Sequence, residues 1–193
     1  MHNRFIKNCP IHGAYRNIHG DLMSDILSLW DKTGGQVVDE FLPYIEYLVQ
    51  FKGDYVRGDL PVAIYSGSKT LAAKILGDKW SGCSQDLNSD LDLAFRSYVA
   101  EGYRAAVISN EPILDIISYD FRVSESEVIW VAYSRLIFPL YLKTGKALLG
   151  SLALPTQPIV RVDRQDLQHP LGRSQRTKGR GEILLHDAPI GSP

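Results

Sequence analysis

Residues Glu127 to Pro155, EVIWVAYSRLIFPLYLKTGKALLGSLALP, decide how this chain folds. β-Branched and aromatic residues fill the first arm, and Lys143-Thr144-Gly145-Lys146 supplies a turn between two apolar runs. That pattern predicts two long antiparallel strands. Upstream, Ile113 to Val123 is mostly apolar and β-branched, and Ser124-Glu125-Ser126 turns it into the hairpin. Three consecutive strands joined by short turns are antiparallel neighbours.

Further upstream, Tyr44 to Phe51 and Tyr55 to Tyr65 read as two more strands, the second interrupted near Pro61. Between these and the three long strands lie two helices. Ser68 is the expected cap of a short one carrying Leu71, Ala72, Ile75 and Leu76, closed by Gly77. Ser89 and Asp92 open a longer one, with Leu91, Phe95, Tyr98, Val99, Gly102 and Ala106 on one face. An earlier helix starts at Asp21, places Leu22, Ile26, Leu29 and Trp30 on one stripe, and ends at Gly34-Gly35. The expected fold is α+β: one five-stranded antiparallel sheet with helices on one face and the amphipathic N-terminal helix covering the other.

With 193 residues, 45% of them hydrophobic, the chain can bury a full core. A net charge of -1 gives no electrostatic case for a nucleic-acid or anionic-membrane partner. No apolar run reaches the roughly 18 to 20 residues of a bilayer span. Two cysteines, Cys9 and Cys83, fit a reducing, cytoplasmic setting. Residues 1–20 read as a flexible arm, 21–155 as the domain, and 156–193 as a polar, disordered tail.

The motifs carry a resemblance. Ser66-Gly67-Ser68 leading into Leu71 and Ile75-Leu76-Gly77, the turn Trp80-Ser81-Gly82, and Tyr133-Ser134-Arg135-Leu136-Ile137-Phe138-Pro139-Leu140 followed by Leu148-Leu149-Gly150 are similar to a PAS domain. The last stretch resembles the Y-x-R-x-x-x-P-L hairpin of a stand-alone alphaproteobacterial PAS family of unknown function. The resemblance covers roughly residues 40 to 155. It implies a sensory or protein-interaction module that signals through a partner, with no output domain of its own and no enzymatic activity.

It also implies a pocket between the sheet and the helices. Val128, Trp130, Ala132, Ser134, Leu136 and Phe138 are expected on the pocket face of their strand, with Phe95, Tyr98 and Phe121 as opposing walls. Phe95, Tyr98, Phe121, Trp130 and Ser134 are thus the expected contacts of a small apolar ligand. The alternative is that they simply fill the core. The other face shows Ile129, Val131, Tyr133, Arg135 and Ile137, too apolar to stay wet. Leu22, Ile26, Leu29, Trp30, Ile129, Val131 and Tyr133 are therefore the expected interface, closed by the chain's own helix or by one exchanged in a homodimer or with another signalling protein.

No cofactor is expected. All five histidines lie in the terminal segments, so the long helix offers none to a haem iron. Cys83 lacks the Asn, Arg and Phe that accompany the reactive cysteine of flavin-binding relatives. Only Cys9-x-x-His12 has zinc-knuckle spacing, and the expectation is no metal site. Phosphate-loop, G-x-S-x-G and H-E-x-x-H motifs are missing. Asp115, Asp120, Glu125 and Glu127 are expected to be solvated strand-end carboxylates. The rival reading is a small cystatin-like isomerase using Asp115 and Tyr98 as an acid-base pair.

Overall fold

In a computed structural model of the chain, which describes residues 4–9, 11, 20–53, 60–82, 91–122 and 127–163, the long strand Glu127–Tyr141 (β5) is the spine of a mixed α+β architecture. β4 (Ile113–Arg122) pairs along one edge of it. β6 (Ala147–Pro155) pairs along the other edge from Tyr133 to Tyr141. Both hairpins obey their turns. Residues of β4 and β5 that are equally far from position 125 face each other, and Gly145 (φ 81°) lets Leu142 and Lys146 close the second reversal.

The sheet has seven strands, not five. Phe5–Cys9 (β1), in the segment read as an arm, pairs antiparallel with β4. Val160–Asp163 (β7), in the segment read as a tail, pairs with Glu127–Trp130 of β5. β2 (Leu48–Lys52) joins β6, and β3 (Ala63–Ser66) completes the order β1-β4-β5-β6-β2-β3. These edge strands are short and only half covered, so neither face leaves a strong period in the sequence.

Residues 44–47 are not strand. Asp39–Tyr47 forms a 3-10 helix containing Pro43, and only then does β2 begin. Glu46 gives its carbonyl to the N–H of Lys69 at 2.8 Å, and Gly67 lies against the Glu46 backbone so closely that a side chain there would overlap it. That turn takes Glu46 out of any strand ladder.

The helices follow their caps, one residue set apart from expectation. The short helix α2 (Leu71–Leu76) is capped by Thr70, whose hydroxyl accepts from Ala73 N–H at 3.1 Å; Ser68 plays no such part. Asp92 caps the long helix, numbered α3 below (Leu93–Ser109), by accepting from Ala94 N–H at 2.7 Å. Asn110 ends it in the left-handed region. Ser89 lies outside the described residues. The N-terminal helix α1 (Gly20–Thr33) stops where Gly34 and Gly35 both take positive φ.

Two cores flank the sheet. On one face α3 sets Phe95, Val99, Tyr103 and Ala106 against Ile117, Ile129, Val131, Tyr133 and Ile137. On the other, α1 and the 3-10 helix set Met23, Ile26 and Phe41 against Leu114, Leu136, Phe138, Leu140, Leu148 and Leu152. The expected face assignment of β5 is therefore reversed. Ile129, Val131, Tyr133 and Ile137 join the core under the long helix, and Leu136, Phe138 and Leu140 join the core with α1. Because β5 is covered on both sides, alternation of apolar and polar residues could not say which side was which. No helix among the described residues is long and apolar enough to cross a membrane; strands of a β-barrel are outside that statement.

Candidate functional site

The reversal moves the chemistry. Arg135, an odd-numbered residue of β5, points into the α3 side of the sheet, and its cross-strand partner is Asp115. Asp115 is 0% and Arg135 3% exposed. Arg135 Nη2 donates to Asp115 Oδ2 at 2.5 Å and to the carbonyl of Val99 at 3.1 Å. Its guanidinium lies 4.7 Å from the ring centre of Tyr103. Asp115 was expected to be solvated, and this burial corrects that. Taking both charges out of water costs several kcal/mol per ion, by rough estimate, which only close pairing can offset.

Helix α3 reaches this pair because residue 102 is glycine. A β-carbon there would stand 2.6 Å from Arg135 Nη2, against the Asp115 carboxylate, and 3.1 Å from Ile137 Cδ1. The glycine thus lets the Val99 carbonyl act as the second acceptor for Arg135. Desolvation works against the Arg135 charge, but Tyr103, Asp115 and Tyr133 around it outweigh that and its pKa is raised. Burial likewise pushes the Tyr133 phenol well above its ordinary value, with the Arg135 charge pulling the other way.

Next to the pair is a cavity of about 100 Å³, where one water needs about 10 to 15 Å³. Phe51 and Ala153 from the sheet, Ile75 from α2, Trp80 from the 3-10 turn after it, and Phe95 and Tyr103 from α3 wall it, with Arg135 and Tyr133 on the sheet side. Tyr103 stacks edge-on against Phe51 at 4.9 Å and shares a 3.3 Å hydrogen bond with Ser151. The wall is apolar apart from a few fixed donors and hydroxyls.

Of the ligand contacts expected from sequence, Phe95 lines this cavity. Tyr98 sits one ring away, tilted on Tyr119 at 5.2 Å, and its hydroxyl has no partner among the described residues. Trp130 and Ser134 belong to the even-numbered, α1 side of β5; Trp130 Nε1 donates to Ser118 Oγ at 3.2 Å. They do not reach the cavity. Phe121 pairs with Ile129 through its backbone, and its side chain lies outside the description.

The expected interface also divides. Ile129, Val131 and Tyr133 are buried under α3 and form no outer surface. Leu22, Ile26, Leu29 and Trp30 do pack on the opposite face, against their own sheet, so no second subunit is needed to cover it. Asp115 bonds Arg135 rather than Tyr98, so the acid-base pair of the isomerase reading is not assembled. Cys83 and all five histidines lie outside the described residues, so the Cys9-x-x-His12 spacing is only half placed.

The Asp115–Arg135 pair and Trp80 were missed from sequence. The pair was findable: both residues stand equally far from the Ser124-Glu125-Ser126 turn, which fixes their register, and Gly102 and Ala106 mark where the helix comes close. No family model matches the chain, and no curated protein matches it either.

Proposed function

We propose that the chain is a PAS-type sensory or protein-interaction module that takes a small ligand between its sheet and α3 and relays the bound state to a partner protein. The observation that carries this reading is the small apolar cavity set against the buried Arg135–Asp115 pair. A core built only for stability would gain by filling such a space. Within the seven-stranded sheet, β2 and β3, a helical middle and then the longer β4, β5 and β6 follow the order that the PAS resemblance implies, with β1 and β7 added to it.

The relay runs through β5. Arg135 belongs to the cavity side and its neighbour Leu136 to the α1 side, so a shift at one is felt at the other. A ligand that favours one packing of the cavity shifts the population of α1 positions. Native mass spectrometry of the purified full chain, paired with hydrogen exchange on adding small apolar compounds, tests this. A retained ligand, or protection changing in both α3 and α1, supports the module. A ligand-free mass with unchanged exchange across the compounds leaves a filled structural domain and sinks the sensor.

A further inference from the structure

We propose that the apolar stripe formed by Phe5, Trp130 and Val160 is a docking site for the chain's own C-terminal segment. Ile183-Leu184-Leu185 sits on the stripe, and the acidic residues on either side of that triplet meet Lys7. The site is separate from the cavity and does not depend on what the cavity binds.

Four strands bring the stripe together. Phe5 of β1 stands opposite Ser118 of β4, and Val160 of β7 stands opposite Trp130 of β5. Residues opposite one another in a ladder project from the same face. Trp130 reaches across to β4 and gives its indole N–H to Ser118 Oγ at 3.2 Å, so its ring lies between Phe5 and Val160. Half-buried Val128 continues the stripe two residues along β5. Phe5 is 45% and Val160 37% exposed, and neither joins either core. The β5 residues of the core with α1 begin at Leu136, six residues from Trp130, or about 20 Å along the strand. Exposed apolar residues gathered in one place, unlike scattered ones, mark a surface that something covers.

The chain supplies the cover. β7 ends at Asp163, three residues or about 10 Å along the strand from Val160, and 30 residues follow it. Among them Ile183-Leu184-Leu185 is the one run of three consecutive apolar residues. It stands 20 residues beyond Asp163. A coil of that length averages about 25 Å end to end, whereas the three strand spacings from β7 to β1 measure about 14 Å. Tethering over that range gives an effective concentration of about 1 mM, so a contact too weak to recruit a separate protein holds a tethered one. The charges match as well. Lys7 shares the face of Phe5, two residues along β1; it is exposed and has no acidic partner among the described residues. Glu182 and Asp187, two of the three acidic residues after Asp163, flank the triplet.

NMR of the full ¹⁵N-labelled chain tests this. The amides of Leu184 and Leu185 should show clearly positive ¹H–¹⁵N NOE values that fall toward zero in Phe5→Ser. Ile183→Ser, Leu184→Ser and Leu185→Ser made together should shift the amides of Phe5, Lys7 and Val160 and the Trp130 indole resonance, leaving the Trp30 and Trp80 indoles in place. Lys7→Glu should loosen the segment, and adding Glu182→Lys and Asp187→Lys should restore it. These differences should persist on dilution from about 1 mM to about 20 μM, because a tethered contact does not follow mass action between molecules. Differences that vanish on dilution mean that the segment of a second copy occupies the stripe, and they overturn the proposal. So do NOE values near zero at Leu184 and Leu185 in the wild type, or β1 and β7 resonances that the triple variant leaves unmoved. Should Phe5→Ser loosen β1 itself, the triple variant, altered only outside the sheet, decides.

Discussion

Trp30 on α1 donates its indole N–H to the carbonyl of Pro139 at 2.6 Å, pinning the helix to the spine of the sheet. Proline in a central strand usually costs a ladder hydrogen bond. Here the β4 pairing ends at Ile137, and two residues past Pro139 the same edge is taken over by Gly35 and Val37, which bond Tyr141 at 2.8 and 2.9 Å. Pro139 falls in the gap, where no donor is wanted and an indole comes to its carbonyl. Gly35 must be small there, since a β-carbon would lie 2.8 Å from Trp30 Nε1.

Trp30→Phe keeps an aromatic ring on the sheet and removes the donor together with part of the fused ring. It should cost about 1 to 2 kcal/mol, read as a lower urea midpoint with an unchanged slope. A drop in slope would mean instead that α1 had come away.

Asp115→Asn leaves the Arg135 charge buried without its counterion. A loss of about 3 to 5 kcal/mol is expected, large against the total stability of a domain. Asp115→Leu combined with Arg135→Met should recover most of it, because the desolvation cost goes with the charges. Denaturation of Asp115→Leu, of Arg135→Met and of the double gives the coupling directly. A loss in the double equal to the sum of the two single losses would show that the pair is not coupled.

Gly102→Ala sets two effects against each other. Alanine is favoured over glycine in a helix by about 1 kcal/mol, whereas a methyl crowding a packed core costs about 1 to 3 kcal/mol. The new carbon would meet Arg135 at 2.6 Å and Ile137 at 3.1 Å, so crowding should win. A net loss of stability is expected by thermal or urea unfolding; a gain would show that α3 can lift away cheaply.

Tyr133 sets an alkaline limit. Its folded pKa is raised above the unfolded value of about 10 by burial. The folded state thus keeps the proton after the unfolded state has lost it. The contribution is complete below about pH 10 and falls away as pH rises from there toward the folded value. Urea midpoints between about pH 8 and 11 should fall less steeply in Tyr133→Phe than in the wild type. Tyr98 and Tyr119, also raised by burial, add to the slope in both proteins.

Turn chemistry and helix ends were legible from residue order, because Gly34-Gly35, Gly77, Gly145 and Asp92 act locally. The three long strands were legible for the same reason. The two faces of β5 were not. Apolar residues on both sides of a doubly covered strand carry no label, and Trp130 beside Ala132 and Ser134 looked like space although none of the three lines the cavity. Strands β1 and β7 were hidden because each is defined by the edge it joins, β4 or β5, rather than by its own short sequence. Asp115 looked solvated because burial of a carboxylate depends on a partner two strand-lengths of chain away.

Strand β5 is a member of both hydrophobic cores, one through each side of the same backbone. Neither core can therefore melt while the other survives, since losing either frees the strand they share. The chain should unfold as one cooperative unit, with the amides of Leu136 to Phe138 the last to exchange, and destabilising changes made under α1 and under α3 should lower the same single transition.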